Sequence, residues 1–202
     1  MAWRSAAEAD AGVAEILARF GATPVERVAL SALDRSLAVY RFASAGEAAN
    51  VRAQLAAERP QWLVDFNTLY VPLAEPRQYA ASQIDLPGAP GKSAAARIGM
   101  LDTPVDAAPA LTDRGIVRRR LFAADAPPAP PAHGTAVAIL LVGRDPAHGF
   151  EGAAAGAELY AGEVMRLRAG REDTNARIVL GGLDWLLAAN ARVINLSFGG
   201  AP

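Results

Sequence analysis

The N-terminal third of the chain alternates between helical and extended hydrophobic patterns. Ser5 and Glu8 stand at capping-box spacing before an amphipathic run that Gly21 closes, which predicts a first helix. Ser44 and Glu47 form a second capping box and predict a second helix. Three runs with the spacing of β-strands complete a small α+β unit: Pro24–Leu30, Ser36–Phe42 and the alternation at Trp62, Val64 and Phe66.

After residue 96 the pattern changes to short apolar runs that alternate with helical spacing. Alternating strands and helices predict an α/β fold with a parallel, doubly wound sheet. Such sheets bind ligands outside the carboxyl ends of their strands, and Asp102 directly follows the first apolar run, Ile98–Leu101. The later strand candidates are Ile116–Phe122, Ala157–Val164 and Val193–Phe198, and the helix candidates are Thr135–Val142 and Thr174–Ala189.

Residues 72–96 separate the two patterns. The stretch is rich in Pro, Gly and Ala and has no periodicity, so we interpret it as an extended linker. The predicted organisation is therefore a small α+β domain at residues 1–71, a linker at 72–96 and an α/β domain at 97–202.

Composition argues against several classes of function. Hydrophobic residues make up 52% of the sequence and charged residues 20%, which indicates a globular protein with a formal net charge of −1. This balance argues against sequence-independent binding to nucleic acid, and no apolar stretch is long enough for a membrane span. The sequence has no cysteine and no Gly-rich phosphate motif after a strand. Any histidine base has to be His133 or His148, because the chain contains only these two histidines.

Three residues are candidates for chemistry. Asp102 would be held at the mouth of the sheet, where it either orients a histidine or caps the following turn. His133 stands at the start of an apolar helix, as either a base that needs a carboxylate partner or a structural loop residue. His148 lies in a turn-like loop, and we interpret it as solvent-exposed. The run Arg118–Arg120 has no interleaved aromatic residues, so we interpret it as a solvated face.

Five segments, in order, resemble motifs of the subtilisin-like serine proteases, the subtilases. Arg97–Thr103 is similar to the strand that carries their catalytic aspartate, and His133–Ala138 is similar to their catalytic-histidine motif. The aspartate precedes the histidine, as in subtilisin. Pro104 replaces the usual glycine of the first motif, and Ala136 replaces a frequent second histidine. Three further segments are similar to the next strand, a later helix and the substrate-binding strand: Gly156–Tyr160, Gly182–Ala188 and Val193–Gly200.

The resemblance implies the N-terminal half of a subtilase catalytic domain, with a partial doubly wound parallel sheet of subtilisin type, preceded by a small α+β propeptide-like domain. Asp102 and His133 would be two members of an Asp-His-Ser triad that hydrolyses peptide bonds. Ser197, Phe198 and Gly199 would pair with an extended peptide substrate. The family's serine lies in a Gly-Thr-Ser-x-Ala motif downstream of these segments. This sequence contains no such motif, so the chain alone is expected to be an inactive part of a serine endopeptidase precursor.

The resemblance also sets expectations for partners and cofactors. The expected partners are a peptide or protein substrate and the propeptide-like domain as an intramolecular inhibitor, with no nucleic acid and no membrane. No cofactor is expected; structural calcium occurs in the family, but no calcium site is identifiable from this sequence. Family members are commonly secreted or periplasmic, although the N-terminal residues lack the apolar core of a signal peptide. Two other functions stay open: a non-catalytic fragment or pseudoprotease acting as a peptide-binding or inhibitory module, and a small-molecule-binding α/β domain.

Overall fold

The computed structural model describes residues 1–72, 96–121 and 126–200. The chain divides into two units, Met1–Thr68 and Leu69–Pro202. Most of the predicted linker, residues 73–95, lies outside the described residues, as does Phe122 at the end of one predicted strand. None of the helices in the described ranges is long and apolar enough to cross a membrane.

The first unit combines a three-stranded antiparallel sheet, ordered β1-β3-β2, with two helices. Both helices begin at the serines that the sequence predicts: the Ser5 and Ser44 hydroxyls each accept a hydrogen bond from a backbone N–H three residues later. Gly21 ends the first helix at φ 57°, a left-handed conformation that glycine adopts without strain. The elements are β1 (Ala2–Trp3), α1 (Ala6–Phe20), β2 (Thr23–Leu30), β3 (Arg35–Arg41) and α2 (Ala45–Glu58).

The prediction of a third strand in this unit, at Trp62, Val64 and Phe66, is wrong. Only Leu63 pairs, in a single bridge to Ala2, because β1 is two residues long and offers no further partners. The alternation reflects burial without strand pairing. Trp62 packs edge-on against Trp3, with ring centroids 5.5 Å apart, whereas Phe66 remains 45% exposed.

The second unit is a mixed α/β structure, as the alternating pattern predicts. Its central sheet is parallel throughout, in the order β12-β5-β9-β6. A second, antiparallel sheet has the order β10-β11-β4-β13, and β7 and β8 form a short hairpin. The strands are β4 (Leu69–Pro72), β5 (Arg97–Asp102), β6 (Ile116–Arg120), β7 (Arg144–Asp145), β8 (Phe150–Glu151), β9 (Glu158–Glu163), β10 (Arg166–Arg168), β11 (Arg171–Asn175), β12 (Val193–Leu196) and β13 (Phe198–Gly200), and the helices are α3 (Ala132–Val142) and α4 (Ala176–Ala188).

The alternation of side chains along β5 places one helix on each face of the parallel sheet. Ile98 and Met100 belong to the buried cluster that includes residues of α3. Leu101 belongs to the cluster that includes residues of α4, and Gly99 leaves the space that Leu186 of α4 fills. Asp102, two residues after Met100, therefore projects from the end of β5 towards the α3 face.

Several predicted boundaries differ from the structure. The helix predicted to start at Thr135 begins at Ala132, and Thr174 and Asn175 belong to β11 rather than to α4. The predicted strand Val193–Phe198 is two strands: it breaks at Ser197, after which β13 joins the antiparallel sheet instead of the parallel one. The division between the units comes after Thr68 rather than after Val71, because β4 pairs with β11 and β13 of the second unit. The strand break at Ser197 and the position of the boundary between the units have the same cause: strands distant in the sequence decide with which sheet each short strand pairs.

Candidate active site

Asp102 ends β5, the most completely buried strand of the parallel sheet, and only 1% of the residue is exposed. Its backbone carbonyl accepts hydrogen bonds from the N–H groups of Val164 and Met165, which fix the end of the strand. Its carboxylate Oδ1 accepts the N–H of Thr103 at 2.7 Å. The other oxygen, Oδ2, is buried without a hydrogen-bond partner among the described residues. The carboxylate is therefore held at a fixed place, largely out of water.

His133 stands in the first turn of α3, whose N-terminus faces the end of β5. The segment before the helix is paired with the residues that follow β9: Ala129 N–H donates to the Met165 carbonyl, and Leu167 N–H donates to the Pro127 carbonyl. His133 Nδ1 lies 2.7 Å from Asp102 Oδ1. A quarter of the histidine side chain, 25%, is exposed. The structure thus brings together the two residues that the sequence singles out, 31 positions apart in the chain.

An ionised carboxylate only accepts hydrogen bonds, so the Nδ1 atom of His133 carries the proton that it donates to Asp102. In the neutral imidazole this leaves Nε2 with a free electron pair, the form required of a general base. Burial raises the pKa of Asp102, while hydrogen bonds from His133 and Thr103 act in the opposite direction.

Gly134 permits the close approach of α3 to β5. A Cβ atom at this position would lie 2.2 Å from the Thr103 carbonyl oxygen and 2.8 Å from that of Pro104. Both obstacles are backbone atoms, which cannot rotate away as a side chain can. A residue with a side chain at position 134 would therefore push the helix, and His133 with it, away from Asp102.

The other candidate residues lie apart from this pair. His148 sits on the exposed loop between β7 and β8, with 81% of its side chain exposed and its Nδ1 atom 2.7 Å from Asp145 Oδ2. The arginine run Arg118–Arg120 lies on β6, an outer strand of the parallel sheet, and is exposed, as predicted. Within the described ranges, no three His, Asp or Glu side chains come together in a group that could hold a metal ion.

The predicted peptide-binding residues lie where the chain passes from one sheet to the other. The Oγ atom of Ser197 accepts a hydrogen bond from Asn195 Nδ2 at 2.7 Å. Phe198 and Gly199 belong to β13, which pairs in antiparallel fashion with β4 of the same unit. The Tyr70 ring packs on Phe198 with a centroid distance of 5.9 Å, and it approaches the place where a Cβ on Gly200 would be, at 3.4 Å.

Two features of this region were not predicted from the sequence. The β10–β11 hairpin turns at Ala169 and Gly170, and the only local signal is a weak Ala-Gly dipeptide. The Asp173 carboxylate joins its two strands by accepting from Arg166 at 2.8 Å and Arg168 at 3.0 Å. The second missed feature is the Thr103 hydroxyl, which accepts the Gly134 N–H at 2.7 Å. A threonine after an aspartate gives no sign of a contact this distant in the sequence.

The model of the subtilase family matches residues 94–202, which is just over half of the chain and includes Asp102, His133 and Phe198. No curated protein matches the chain. The matched segment begins just before β5 and covers the whole parallel sheet. The chain therefore belongs to the subtilase family.

Proposed function

We propose that the second unit carries the aspartate–histidine part of a serine-peptidase triad and takes part in peptide-bond hydrolysis. The 2.7 Å contact between His133 Nδ1 and Asp102 Oδ1 carries this proposal. His133 would accept the proton of a serine hydroxyl at Nε2 and return it to the leaving amine. Asp102 would hold the ring in the correct tautomer and stabilise the imidazolium while the serine attacks the substrate carbonyl.

The serine of this triad has to come from outside the segments that carry the pair, because the sequence contains no Gly-Thr-Ser-x-Ala motif. Ser197 is not proposed as the nucleophile, since it lies at the substrate-binding segment with its Oγ atom bonded to Asn195. Removal of the nucleophile from a subtilisin lowers turnover about 10⁶-fold. By itself, the chain is therefore proposed to be inactive and to act as a peptidase only with a complementing segment.

The β4 strand supports the proposed mode of peptide binding. It runs antiparallel between β11 and β13, so that Tyr70 pairs with Thr174 on one side and Gly200 on the other. Addition of an extended peptide to a sheet edge is a general mode of recognition, in which main-chain hydrogen bonds give affinity and pockets for side chains give selectivity. We therefore propose Ser197, Phe198 and Gly199 as substrate-binding residues. The first unit, with the strand that follows it, would then be a propeptide-like inhibitor.

Complementation tests the triad. The full chain is co-expressed with a polypeptide that carries the missing Gly-Thr-Ser-x-Ala motif of a subtilase, and hydrolysis of a chromogenic peptide is measured. We expect activity that His133→Ala lowers about 10⁶-fold. His148→Ala is the matched control, since this histidine also bonds to an aspartate at 2.7 Å but lies on an exposed loop. Activity that survives His133→Ala would show that the proposed base is wrong.

The pairing of β4 with β13 also favours a second function, that of a non-catalytic peptide-binding module. In that case a peptide with the sequence Leu-Tyr-Val-Pro would compete with β4, and complementation would produce no hydrolysis. Fluorescence anisotropy of a labelled peptide measures the competition. Asp102→Asn and His133→Ala would leave this binding unchanged, because neither residue belongs to the strands that β4 pairs with.

A further inference from the structure

The N-terminus of α3 has no capping side chain of its own. The N-cap residue is Pro131, which makes no side-chain hydrogen bond to the helix. Helices usually satisfy the N–H groups of their first turn with a Ser, Thr, Asp or Asn side chain at this position, which accepts from the second or third helical residue. In α3 the third helical residue is Gly134, directly after His133. Its N–H needs an acceptor from another part of the chain.

The Thr103 hydroxyl provides that acceptor. Its Oγ1 atom accepts the Gly134 N–H at 2.7 Å, and the bond is buried. Thr103 is only 1% exposed and follows Asp102 directly, so the rigid end of β5 fixes both the carboxylate and the hydroxyl. The hydroxyl therefore fixes the backbone next to His133, while Asp102 fixes the ring of the same histidine at 2.7 Å. The last residue of β5 and the residue that follows it thus hold two adjacent residues of α3.

The Thr103 hydroxyl also retains its own proton as a donor, because it accepts the Gly134 N–H through a lone pair. The neighbouring Asp102 carboxylate is an anion in a buried position. Thr103 is among the groups that lower the pKa of Asp102, through both its side chain and its backbone N–H. The backbone N–H of Thr103 donates to Asp102 Oδ1 at 2.7 Å, so this residue bonds both to the start of α3 and to the carboxylate that orients the histidine.

A second hydrogen bond, exposed to solvent, holds the first turn of α3 to the segment that follows β5. The Thr135 Oγ1 atom accepts the Asp106 N–H at 2.9 Å, and this bond is exposed. Like the Thr103 contact, it is a bond from a backbone N–H to a threonine Oγ1 between α3 and the segment that follows β5. Here, however, the threonine belongs to α3, and the bond involves neither Asp102 nor His133. Thr135 therefore offers a matched control for the loss of one hydroxyl at this helix end.

We propose that Thr103, the residue that follows β5, is a positioning residue for the site: its side chain caps α3 and keeps the His133 ring aligned with the Asp102 carboxylate. The inference rests on the proposed function of the pair, but it concerns a residue for which the family resemblance assigned no role. Thr103 does not touch the reacting atoms; its hydroxyl acts through the backbone of Gly134, the residue next to His133.

The test uses nuclear magnetic resonance on the full chain labelled with nitrogen-15. The Nδ1 proton of His133 exchanges with water only when its bond to Asp102 opens, so its exchange rate measures the alignment. Thr103→Val keeps the shape of the side chain and removes the hydroxyl, and Thr103→Ser keeps the hydroxyl. We expect Thr103→Val to accelerate the exchange about tenfold, the factor that corresponds to one buried hydrogen bond of about 1.4 kcal/mol. Thr103→Ser and Thr135→Val should exchange at the wild-type rate.

Three results would overturn the proposal: wild-type exchange in Thr103→Val, fast exchange in Thr103→Ser, or an equal acceleration in Thr135→Val. If Thr103→Val does not fold, amide exchange in the wild-type chain still tests whether Thr103 caps α3. The Gly134 amide should then exchange more slowly than the Ala132 amide in the same turn, which a helix leaves without an intrahelical acceptor. Equal rates would exclude the cap. A wild-type chain without a protected Nδ1 proton, but with a protected Gly134 amide, would contradict the aspartate–histidine pair and leave the cap established.

Discussion

At the scale of single residues, Asp102 combines a carboxylate with almost complete burial. One of its oxygens receives two hydrogen bonds, from Thr103 and His133, and the other receives none among the described residues. A buried charge with half of its acceptors unused lowers stability, even where it serves chemistry. The pKa of Asp102 is raised for the same reason, because burial disfavours the charged form of the carboxylate.

The pH dependence of stability follows from this direction. In the unfolded chain Asp102 loses its proton near its ordinary pKa of 3.8, whereas in the folded chain its raised pKa retains the proton to higher pH. Between the two values the folded state binds more protons, so the contribution of Asp102 to stability falls as the pH rises through this window and stays low above it. We expect the free energy of unfolding of the wild type, relative to Asp102→Asn, to decrease as the pH rises from below 3.8. Urea titrations at a series of pH values measure it, and an increase with pH would contradict the prediction.

Gly134 gives a second prediction at this scale. Gly134→Ala forces a Cβ to within 2.2 Å of the Thr103 carbonyl oxygen, so we expect it to destabilise the second unit by about 3 kcal/mol, near the upper end for an overpacked core. Gly181→Ala is the control: this glycine lies inside α4 with no atom within 4 Å of an added Cβ. It should stabilise the helix by up to about 1 kcal/mol. Hydrogen exchange of the β5 and β9 amides measures both, and equal effects would exclude the steric explanation.

At the scale of elements, the β10–β11 hairpin depends on an unusual turn. Ala169 and Gly170 both have positive φ angles, 50° and 75°, which is the conformation of a two-residue type I′ turn. Alanine tolerates this conformation poorly, and the Asp173 carboxylate between two arginines of β10 holds the strands together in spite of it. The hairpin bears on the proposed mode of peptide binding, because β11 pairs with one side of β4.

A better turn residue should therefore stabilise the hairpin. Asparagine is favoured at the first position of a type I′ turn, so we expect Ala169→Asn to stabilise the second unit by about 0.5–1 kcal/mol. Ala169→Val should destabilise it, because a branched side chain cannot easily adopt a positive φ. Amide exchange within β10 and β11 measures both changes. If Asn and Val had the same effect, the turn conformation described here would be wrong.

At the scale of the whole second unit, the parallel sheet ends at β12 among the described strands. Val193 and Leu196 of this strand are 63% and 44% exposed, although strands of parallel sheets are usually covered on both faces. An outer strand with exposed apolar residues and unpaired backbone groups is a template for pairing with another chain. We therefore expect the isolated chain to associate through β12.

A charge on this strand should prevent association. Val193→Lys places an ammonium group on the outer strand, where the side chain is mostly exposed, and should lower the associated fraction with a change in stability within about 0.5 kcal/mol. Ile194→Lys is the contrasting variant, because Ile194 packs against the α4 cluster and should not accept a charge without unfolding. Sedimentation velocity over a concentration series measures association. If Val193→Lys associated like the wild type, another surface would be responsible.

The sequence by itself determined the features that depend on neighbouring residues. The capping serines and Gly21 fixed the ends of α1 and the start of α2, because a cap and its N–H partner lie within one turn of each other. The apolar run of β5 fixed the position of Asp102, and the period of a strand fixed the face from which it projects. The ordered motifs identified the family, since each is a short contiguous segment.

Only the tertiary structure decided which distant segments meet. The segment Trp62–Phe66 forms only one isolated bridge and no strand. The segment Val193–Phe198 contains parts of two strands, which belong to different sheets. The β4 strand pairs with strands of the second unit instead of belonging to the first. Thr103 caps α3, because Pro131 makes no side-chain hydrogen bond to the helix. Hydrogen bonds across sheets and between elements join residues that are far apart in the chain. The hydrophobic pattern within either segment therefore does not predict which segment it pairs with. The sequence therefore placed the functional residues on their elements, and packing of the elements decided their contacts.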